Sequence, residues 1–292
     1  MENAVRVTVP ATSANLGPGY DCLGLALTLY DEVEASVAAS GVTVEVTGEG
    51  AGDVPEDETH LVVRAMHAAF DAIGERPPGL RVRCRNRIPH ARGLGSSSAA
   101  IVAGVLAARG LVTDGDARLD AAALLRLAAG LEGHPDNVAP CLLGGFTIAW
   151  TDETGARAVR LNPAPGVRPE VFVPDQRGVT AEARDLLPER VPYADAAANV
   201  ARTALLVHAL TADPSLLLSA TEDRLHQDYR APAMQPTIAL VRHLRAAGVP
   251  AVVSGAGPTV LALSGESDDL AGFATDGFEM RTLAVADGAA VA

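Results

Sequence analysis

Pro89-His90-Ala91-Arg92-Gly93-Leu94-Gly95-Ser96-Ser97-Ser98-Ala99 is the stretch on which the fold and function of this chain turn. Upstream, Leu80 to Ile88 alternates, with Arg81, Arg83, Arg85 and Arg87 on one side, and predicts a strand with one solvated face. Downstream, an Ala/Val/Leu run to about Ala108 predicts an apolar helix. Glycines between a strand and a helix let the backbone approach a ligand closely. Serines at the helix start add hydroxyls and amides, and unpaired amides with the helix dipole attract phosphate. A serine hydroxyl there can also ligate Mg²⁺. The plainer alternative is that Ser96, Ser97 and Ser98 only cap the helix.

Whole-chain composition narrows what such a loop can do. The 292 residues are 48% hydrophobic, enough for two modest domains or one large one, but only 3% aromatic. The core must therefore be built from Ala, Val and Leu. A formal net charge of -13 argues against nucleic acid or an anionic membrane surface as a partner. The three cysteines, Cys22, Cys84 and Cys141, have no paired spacing and fit a reducing cytoplasm. No signal-peptide pattern is visible at the N-terminus, and the longest apolar run, about Ala99 to Ala108, is too short to span a bilayer. The expectation is a soluble cytoplasmic protein.

One absence bears on mechanism. None of the 23 basic residues is a lysine. Walker-A loops and protein kinases both use a Lys on the nucleotide phosphates, so neither operates here in its usual form. Schiff-base chemistry is excluded as well. Drift of a GC-rich genome from Lys to Arg codons explains the loss without invoking function, but the exclusion stands whatever the cause.

Along the chain, Val5 to Val9 predicts a strand and Ala11 to Asp21 a turn-rich stretch. Strands are predicted from Leu25, over Val33 to Val37 and over Val42 to Val46, and helices over His60 to Ile73 and Ala121 to Leu131. Gly144 to Trp150 reads as a strand, and Asn162 to Pro169 as a Pro-rich linker or edge. Beyond it come a strand at Glu170 to Val173 and helices over Ala194 to Leu210, Ser215 to Leu225 and Pro236 to Ala247. Two strands, Val249 to Ser254 and Thr259 to Leu263, follow. Without the regular repeat of a doubly wound fold, this order suggests α+β in two lobes, split near residues 150–170.

Three segments together resemble the GHMP kinase superfamily and, within it, the homoserine kinases. They are Val9-Pro10-Ala11-Thr12-Ser13-Ala14-Asn15-Leu16-Gly17-Pro18-Gly19-Tyr20-Asp21, continuing to Leu27, the glycine-serine loop, and Ser254-Gly255-Ala256-Gly257-Pro258-Thr259-Val260-Leu261-Ala262. The first is more particular to homoserine kinases, as is Glu132-Gly133-His134-Pro135-Asp136-Asn137-Val138-Ala139-Pro140. The resemblance implies ATP-dependent phosphorylation of the L-homoserine hydroxyl in threonine biosynthesis. It implies an N-terminal ATP-binding domain over residues 1–158, a ferredoxin-like C-terminal domain over 159–292, and a homodimer. Its rivals are a GHMP kinase for another alcohol, such as mevalonate or a sugar, and a non-catalytic protein that kept the fold.

Site residues follow from the same resemblance. Pro89 through Ala99 are expected to bind ATP. Asp21 is expected to receive the substrate ammonium, with Asn15 helping to hold the amino acid. Arg184 and Arg230 are expected to clamp its carboxylate, for which a guanidinium fork is suited. Thr180 and Gly257 lie in family segments of the same substrate site. Glu132 and Ser97 are the expected Mg²⁺ ligands. Glu132 also follows an apolar helix, where the dipole disfavours a carboxylate and a cation would offset that cost. His134 and Asn137 are expected substrate contacts, and Asp136 is a candidate base, although positioning and charge stabilisation can do most of the work of phosphoryl transfer. The chain departs from the family at His60, where Asn is frequent near the adenine, and at Tyr20, where Phe is frequent.

Overall fold

A computed structural model describes residues 4–178, 180–265, 269–273 and 276–292, and the side chains of residues 180 and 181 lie outside that description. The first sheet contains β1 (Ala4–Ala14), β2 (Leu23–Val37), β3 (Gly41–Gly48), β4 (Gly79–Asn86), β5 (Phe146–Asp152), β6 (Gly155–Leu161) and β11 (Ala290–Val291). Its main path runs β11-β1-β2-β4-β3, and the β5–β6 hairpin joins the start of β2. The second sheet runs β10 (Phe278–Thr282), β7 (Arg168–Pro174), β9 (Val260–Ser264), β8 (Ala251–Val253), all antiparallel. Two sheets with helices packed on them make the α+β fold expected from the order of elements.

The helices are α1 (Leu61–Ile73), α2 (Ser96–Leu111), α3 (Gly115–Arg118), α4 (Ala121–Glu132), α5 (Val138–Leu143), α6 (Thr180–Asp185), α7 (Tyr193–Thr211), α8 (Leu217–Ala220), α9 (Gln227–Arg230) and α10 (Gln235–Ala246). Most of α2 is buried, because its alanines, Val102, Val105 and Leu106 meet α1, α4 and β1 on different sides. That all-round apolar helix is a core element, and Ser96 at its start lines two cavities. The second sheet carries α10 against β8 and β9, through Ile238, Val241 and Leu244. Among the described residues, no helix is long and apolar enough to cross a membrane.

The arginine face of β4 is exposed, as its alternation predicted. Arg83 meets Glu34 and Glu45 at 3.4 Å each, and Arg85 and Arg87 reach Glu32 at 3.8 and 3.7 Å. Such exposed pairs each contribute at most about 1 kcal/mol.

Several elements differ from expectation. β1 does not stop at Val9: after a register shift at Pro10/Ala11 it pairs with β2 as far as Ala14. Ala11 to Ala14 are small and buried on both faces, so they carry no alternation to read. The helix expected over Ser215 to Leu225 breaks after Ala220. There the Asp223 carboxylate accepts the amides of Leu225, His226 and Gln227 and opens α9 instead, a local competition typical of Asp. The hairpin partner β6 and the edge strands β10 and β11 went unanticipated. Their residues are mostly exposed or half-exposed and show no clean period. β11 also carries the end of the chain back onto β1, so the first sheet draws on both ends of the sequence.

Candidate active site

The glycine-serine loop is held by close backbone contact with the other two family segments. Ser254 Oγ donates to the Gly93 carbonyl at 2.6 Å and lies 2.8 Å from Ser13 Oγ, whose hydroxyl it can accept. The amide of Thr12 donates to the Leu94 carbonyl, that of Gly255 to Ala14, and that of Thr259 to Arg92. A β-carbon on Gly93, whose φ is +77°, would lie 2.3 Å from the Ser254 carbonyl oxygen. One on Gly95, at φ +71°, would lie 2.0 Å from Thr12 Oγ1. Both positions therefore exclude a side chain on conformation and on space. Thr12 in turn donates to Asn137 Oδ1 at 2.7 Å, which ties β1 to the start of α5.

Within the loop, Leu94 and Ala99 are buried anchors. Arg92 spends its guanidinium on the carbonyls of His90, Pro174 and Asp175, at 2.7–2.8 Å. It fastens the loop to the end of β7. The carbonyl of Ala91 accepts the Gly178 amide. No side chain caps α2, whose N-cap is Gly95. The reading of the serines as mere caps therefore fails: Ser97 and Ser98 turn their hydroxyls to Glu132 Oε1 instead, at 2.6 and 2.8 Å. The first amides of α2 have no side-chain cap.

Glu132 ends α4, and Gly133 follows it in the left-handed region. Its carboxylate and the Ser97 hydroxyl bring two hard oxygen donors to the start of α2. Among the described residues, no group of three or more His, Cys, Asp or Glu side chains could hold a metal ion. That donor set fits Mg²⁺ arriving with a nucleotide, since Mg²⁺ usually takes one or two protein oxygens and completes its shell with phosphates and water.

Next along the chain, His134 Nδ1 and Asp136 Oδ1 are 2.5 Å apart. Burial lowers the His134 pKa, but the Asp136 hydrogen bond and the charges of Asp136 and Glu132 outweigh it, so the net direction is upward. Asp136 itself is almost wholly buried.

At the other end of the cleft, Asp21 and Arg184 pair with each other. Arg184 Nη2 lies 2.8 Å from Asp21 Oδ1, and Nη1 reaches Asp21 Oδ2 at 3.2 Å and the Tyr20 hydroxyl at 2.9 Å. Arg230 is different. It is 1% exposed, and its guanidinium meets only neutral partners: the Ala183 carbonyl at 3.2 Å, His226 Nδ1 at 3.2 Å and the Gly255 carbonyl at 3.4 Å. No carboxylate among the described residues pairs with it. Both guanidinium groups stand over the Tyr20 ring, at 5.7 Å for Arg184 and 5.4 Å for Arg230. Asn15, at φ +69°, accepts the Asp21 amide and donates to the Gly255 carbonyl, so it shapes the turn that presents Asp21. Gly257, at φ +85°, lies against Met234, beside a small cavity that reaches Gly178. Thr180 opens α6, and its side chain lies outside the described residues.

A single cleft of about 510 Å³ is lined by Gly93, Ser97, Glu132, Asp136, Arg184 and Arg230. Asn15, His134 and Asn137 line it too. A second cavity, about 290 Å³, shares Ser96 and Ser97 with it and reaches back to Asp31, His60 and His90.

Comparison with known proteins bears on this arrangement. Residues 60–145 match the family described as GHMP kinases N terminal domain. A homoserine kinase of Streptomyces avermitilis is 58% identical over 291 residues, spanning 99% of this chain and 95% of that one. The chain belongs to the homoserine kinase family. Another member, from Streptomyces coelicolor, is 62% identical over 261 residues, 89% of this chain and 84% of its own. The crystal structure of homoserine kinase from Cytophaga hutchinsonii superposes with a TM-score of 0.86 at 27% identity, covering 100% of this chain and 98% of that one.

Family motifs thus led to many residues that gather in the cleft, while Asp21 adjoins it through Arg184 and Gly257 lines the smaller cavity. They did not lead to Thr12, which ties Leu94 to Asn137, or to His226, which holds Arg230. A signal for His226 was present: it lies four residues before Arg230, the spacing of neighbours on one helical face. In the fold its ring donates from Nε2 to the Gly17 carbonyl at 2.8 Å and so offers Nδ1 to Arg230. Burial is the main cause of the lowered pKa of His226, which keeps the ring neutral and able to accept.

Proposed function

We propose that this chain transfers the γ-phosphoryl group of ATP to the side-chain hydroxyl of L-homoserine, giving ADP and O-phospho-L-homoserine, a step of threonine biosynthesis. The carrying observation is that one cleft has the glycine-serine loop and the start of α2 at one end and a buried guanidinium without a carboxylate at the other. An amino-acid alcohol laid along it would reach both.

On this reading, the amides at the start of α2 and the loop backbone receive the phosphates. This replaces the lysine that the chain lacks. Mg²⁺ bound to Ser97, Glu132 and the phosphates would neutralise charge building on the transferred group. Arg230 and Arg184 bind the substrate carboxylate, and Asp21 its ammonium, so that the pair now closed on itself opens around a zwitterion. His134 and Asn137 line the path between the two ends. A bond forms between the hydroxyl oxygen and the γ-phosphorus as the bond to the ADP oxygen breaks. Asp136 is the buried carboxylate available to take the hydroxyl proton, and His134 orients it. Residues 1–158 carry the nucleotide and residues 159–292 complete the acceptor side. A homodimer rests on the family resemblance, and a cytoplasmic location on three cysteines without paired spacing.

The test is ADP release from Mg-ATP with L-homoserine, L-threonine, mevalonate and galactose in turn. Turnover with L-homoserine at least tenfold above the others is expected. No homoserine-dependent turnover would sink the proposal, and turnover with mevalonate or galactose instead would move the chain to another GHMP activity.

A further inference from the structure

The cavity beyond Ser96 and Ser97 has a feature that the phosphate chemistry does not use. Asp31, on β2, is 5% exposed and lines that cavity. Its Oδ1 accepts the amides of Arg87 and Ile88, at 2.6 and 2.9 Å, and so holds the chain where β4 runs into the loop. Its Oδ2 has no partner among the described residues. A carboxylate buried to this degree is costly unless both oxygens are served. Burial, ahead of the two amide bonds that oppose it, pushes its pKa up to about 6. A neutral amide would anchor the two backbone groups at less cost, so anchoring does not account for the charge.

The cavity supplies a donor as well. His60 caps α1 by accepting the Val62 amide at Nδ1, 3.2 Å away. Burial, with His90 next, lowers its pKa, so the ring is neutral and its hydrogen sits on Nε2. A residue with an anionic acceptor and one with an N–H donor therefore line one space of about 290 Å³ that opens onto the loop serines. This inference rests on the ATP reading above: with the phosphates at the first amides of α2, the cavity that shares Ser96 and Ser97 with the cleft is the space left for the base. What the space accepts is then a question of which edge the purine presents.

We propose that Asp31 Oδ2 accepts a hydrogen bond from the exocyclic amino group of the base and makes the chain selective for 6-aminopurine over 6-oxopurine nucleotides. Adenine carries an N–H₂ donor at C6, whereas hypoxanthine and guanine carry a carbonyl oxygen there. Against a carboxylate aimed at the C6 substituent, that oxygen sets two acceptors opposite each other, and the N1–H of the 6-oxopurine is reached only if the base shifts. Sites built to hydrogen-bond a substrate group reject the analogue that lacks it for this reason.

The experiment is calorimetric binding of Mg-ADP and Mg-IDP, which differ at this edge of the base, to the wild type, Asp31→Asn and Asp31→Ser. No homoserine is present. Asparagine keeps one oxygen for the Arg87 and Ile88 amides and turns its NH₂ to the base. Wild type should bind ADP at least 30-fold more tightly than IDP, on the order expected for a charge-assisted hydrogen bond. Asp31→Asn should shrink that ratio tenfold or more, mainly by gaining IDP affinity, and Asp31→Ser should bring it toward one. A purely structural anchor would weaken ADP and IDP alike and keep their ratio. Thermal melts at pH 7.5 control for folding. Equal ADP and IDP affinities in the wild type would overturn the proposal without any variant, as would an unchanged ratio in either folded variant. ADP binding without homoserine turnover would sink the proposed reaction and leave this inference standing, while failure to bind ADP would sink both.

Discussion

At the phosphate end of the cleft the site is backbone, and at the acceptor end it is side chain. Gly93 and Leu94 are fixed through their carbonyls by Ser254 and Thr12, from two segments distant in sequence, with no room for a β-carbon at Gly93 or Gly95. The acceptor end has Asp21 and Arg184 closed on each other, side chains 35% and 36% exposed, beside an Arg230 with no anion. A backbone site is preorganised, because its donors cannot turn elsewhere when the ligand is absent. A self-paired site must exchange partners. That exchange costs little here, since a half-exposed ion pair contributes only about 1 kcal/mol or less. The binding energy at the acceptor end should therefore come mainly from Arg230, which has no pair to give up.

The largest effect should come from disturbing the rigid end. Gly93→Ala puts a methyl into the Ser254 carbonyl oxygen and strains a left-handed backbone. We expect kcat/KM for ATP to fall about 1000-fold or more, roughly 4 kcal/mol, with a lower melting temperature. Wild-type ADP affinity in this variant would show that the loop is as adaptable as the acceptor end and would erase the contrast. Next is Arg230→Ala, expected to raise KM for homoserine about 30- to 150-fold with kcat less affected, the size of one lost charge-assisted contact. Arg230→Lys should not restore it, because an ammonium cannot reproduce the fork held by His226 and the Ala183 carbonyl. An unchanged KM would remove Arg230 from the substrate site. Arg184→Ala should cost less, about fivefold to tenfold in KM, because the wild-type residue already gives up Asp21 in order to bind. A larger loss than for Arg230→Ala would reverse the assignment of which guanidinium carries affinity.

How legible each end was from sequence follows the same division. The loop's place between a strand and a helix could be read from residue types alone, because its glycines and serines separate an alternating run from an apolar one. The missing lysine sharpened that reading toward backbone amides. The acceptor end could not be read so. Asp21, Arg184 and Arg230 lie on a turn and two short helices far apart in sequence, and only a family resemblance joined them. Nothing in local pattern shows that Arg230 is buried and Arg184 half-exposed, for that depends on how α6 and α9 close over Tyr20. The fold shows the same limit. Long periodic segments such as α1 and α4 were legible to within a residue or so at each end. The double-sided burial of Ala11 to Ala14 and the edge strand β11 depend on partners from elsewhere in the chain.

Tyr20 gives the smallest expected effect and the finest probe of the acceptor end. Its ring lies under both guanidinium groups and 5.2 Å from the His226 ring, whereas its hydroxyl touches only Arg184 among the described residues. Burial, followed by the charge of Asp21, raises the pKa of that hydroxyl, so it stays neutral. Tyr20→Phe removes one of three contacts to Arg184 and leaves both cation–π faces in place. A part-buried hydrogen bond of this kind contributes about 0.5–1 kcal/mol, so KM for homoserine should change no more than about fivefold. Tyr20→Leu, which removes the ring, should cost more than Tyr20→Phe, because it frees both arginines at once. If Tyr20→Phe instead matched Arg230→Ala, the hydroxyl would itself be a substrate contact. The acceptor end would then hold a fixed neutral group as well as exchangeable charges, and the preorganisation assigned here to the loop alone would extend across the whole cleft.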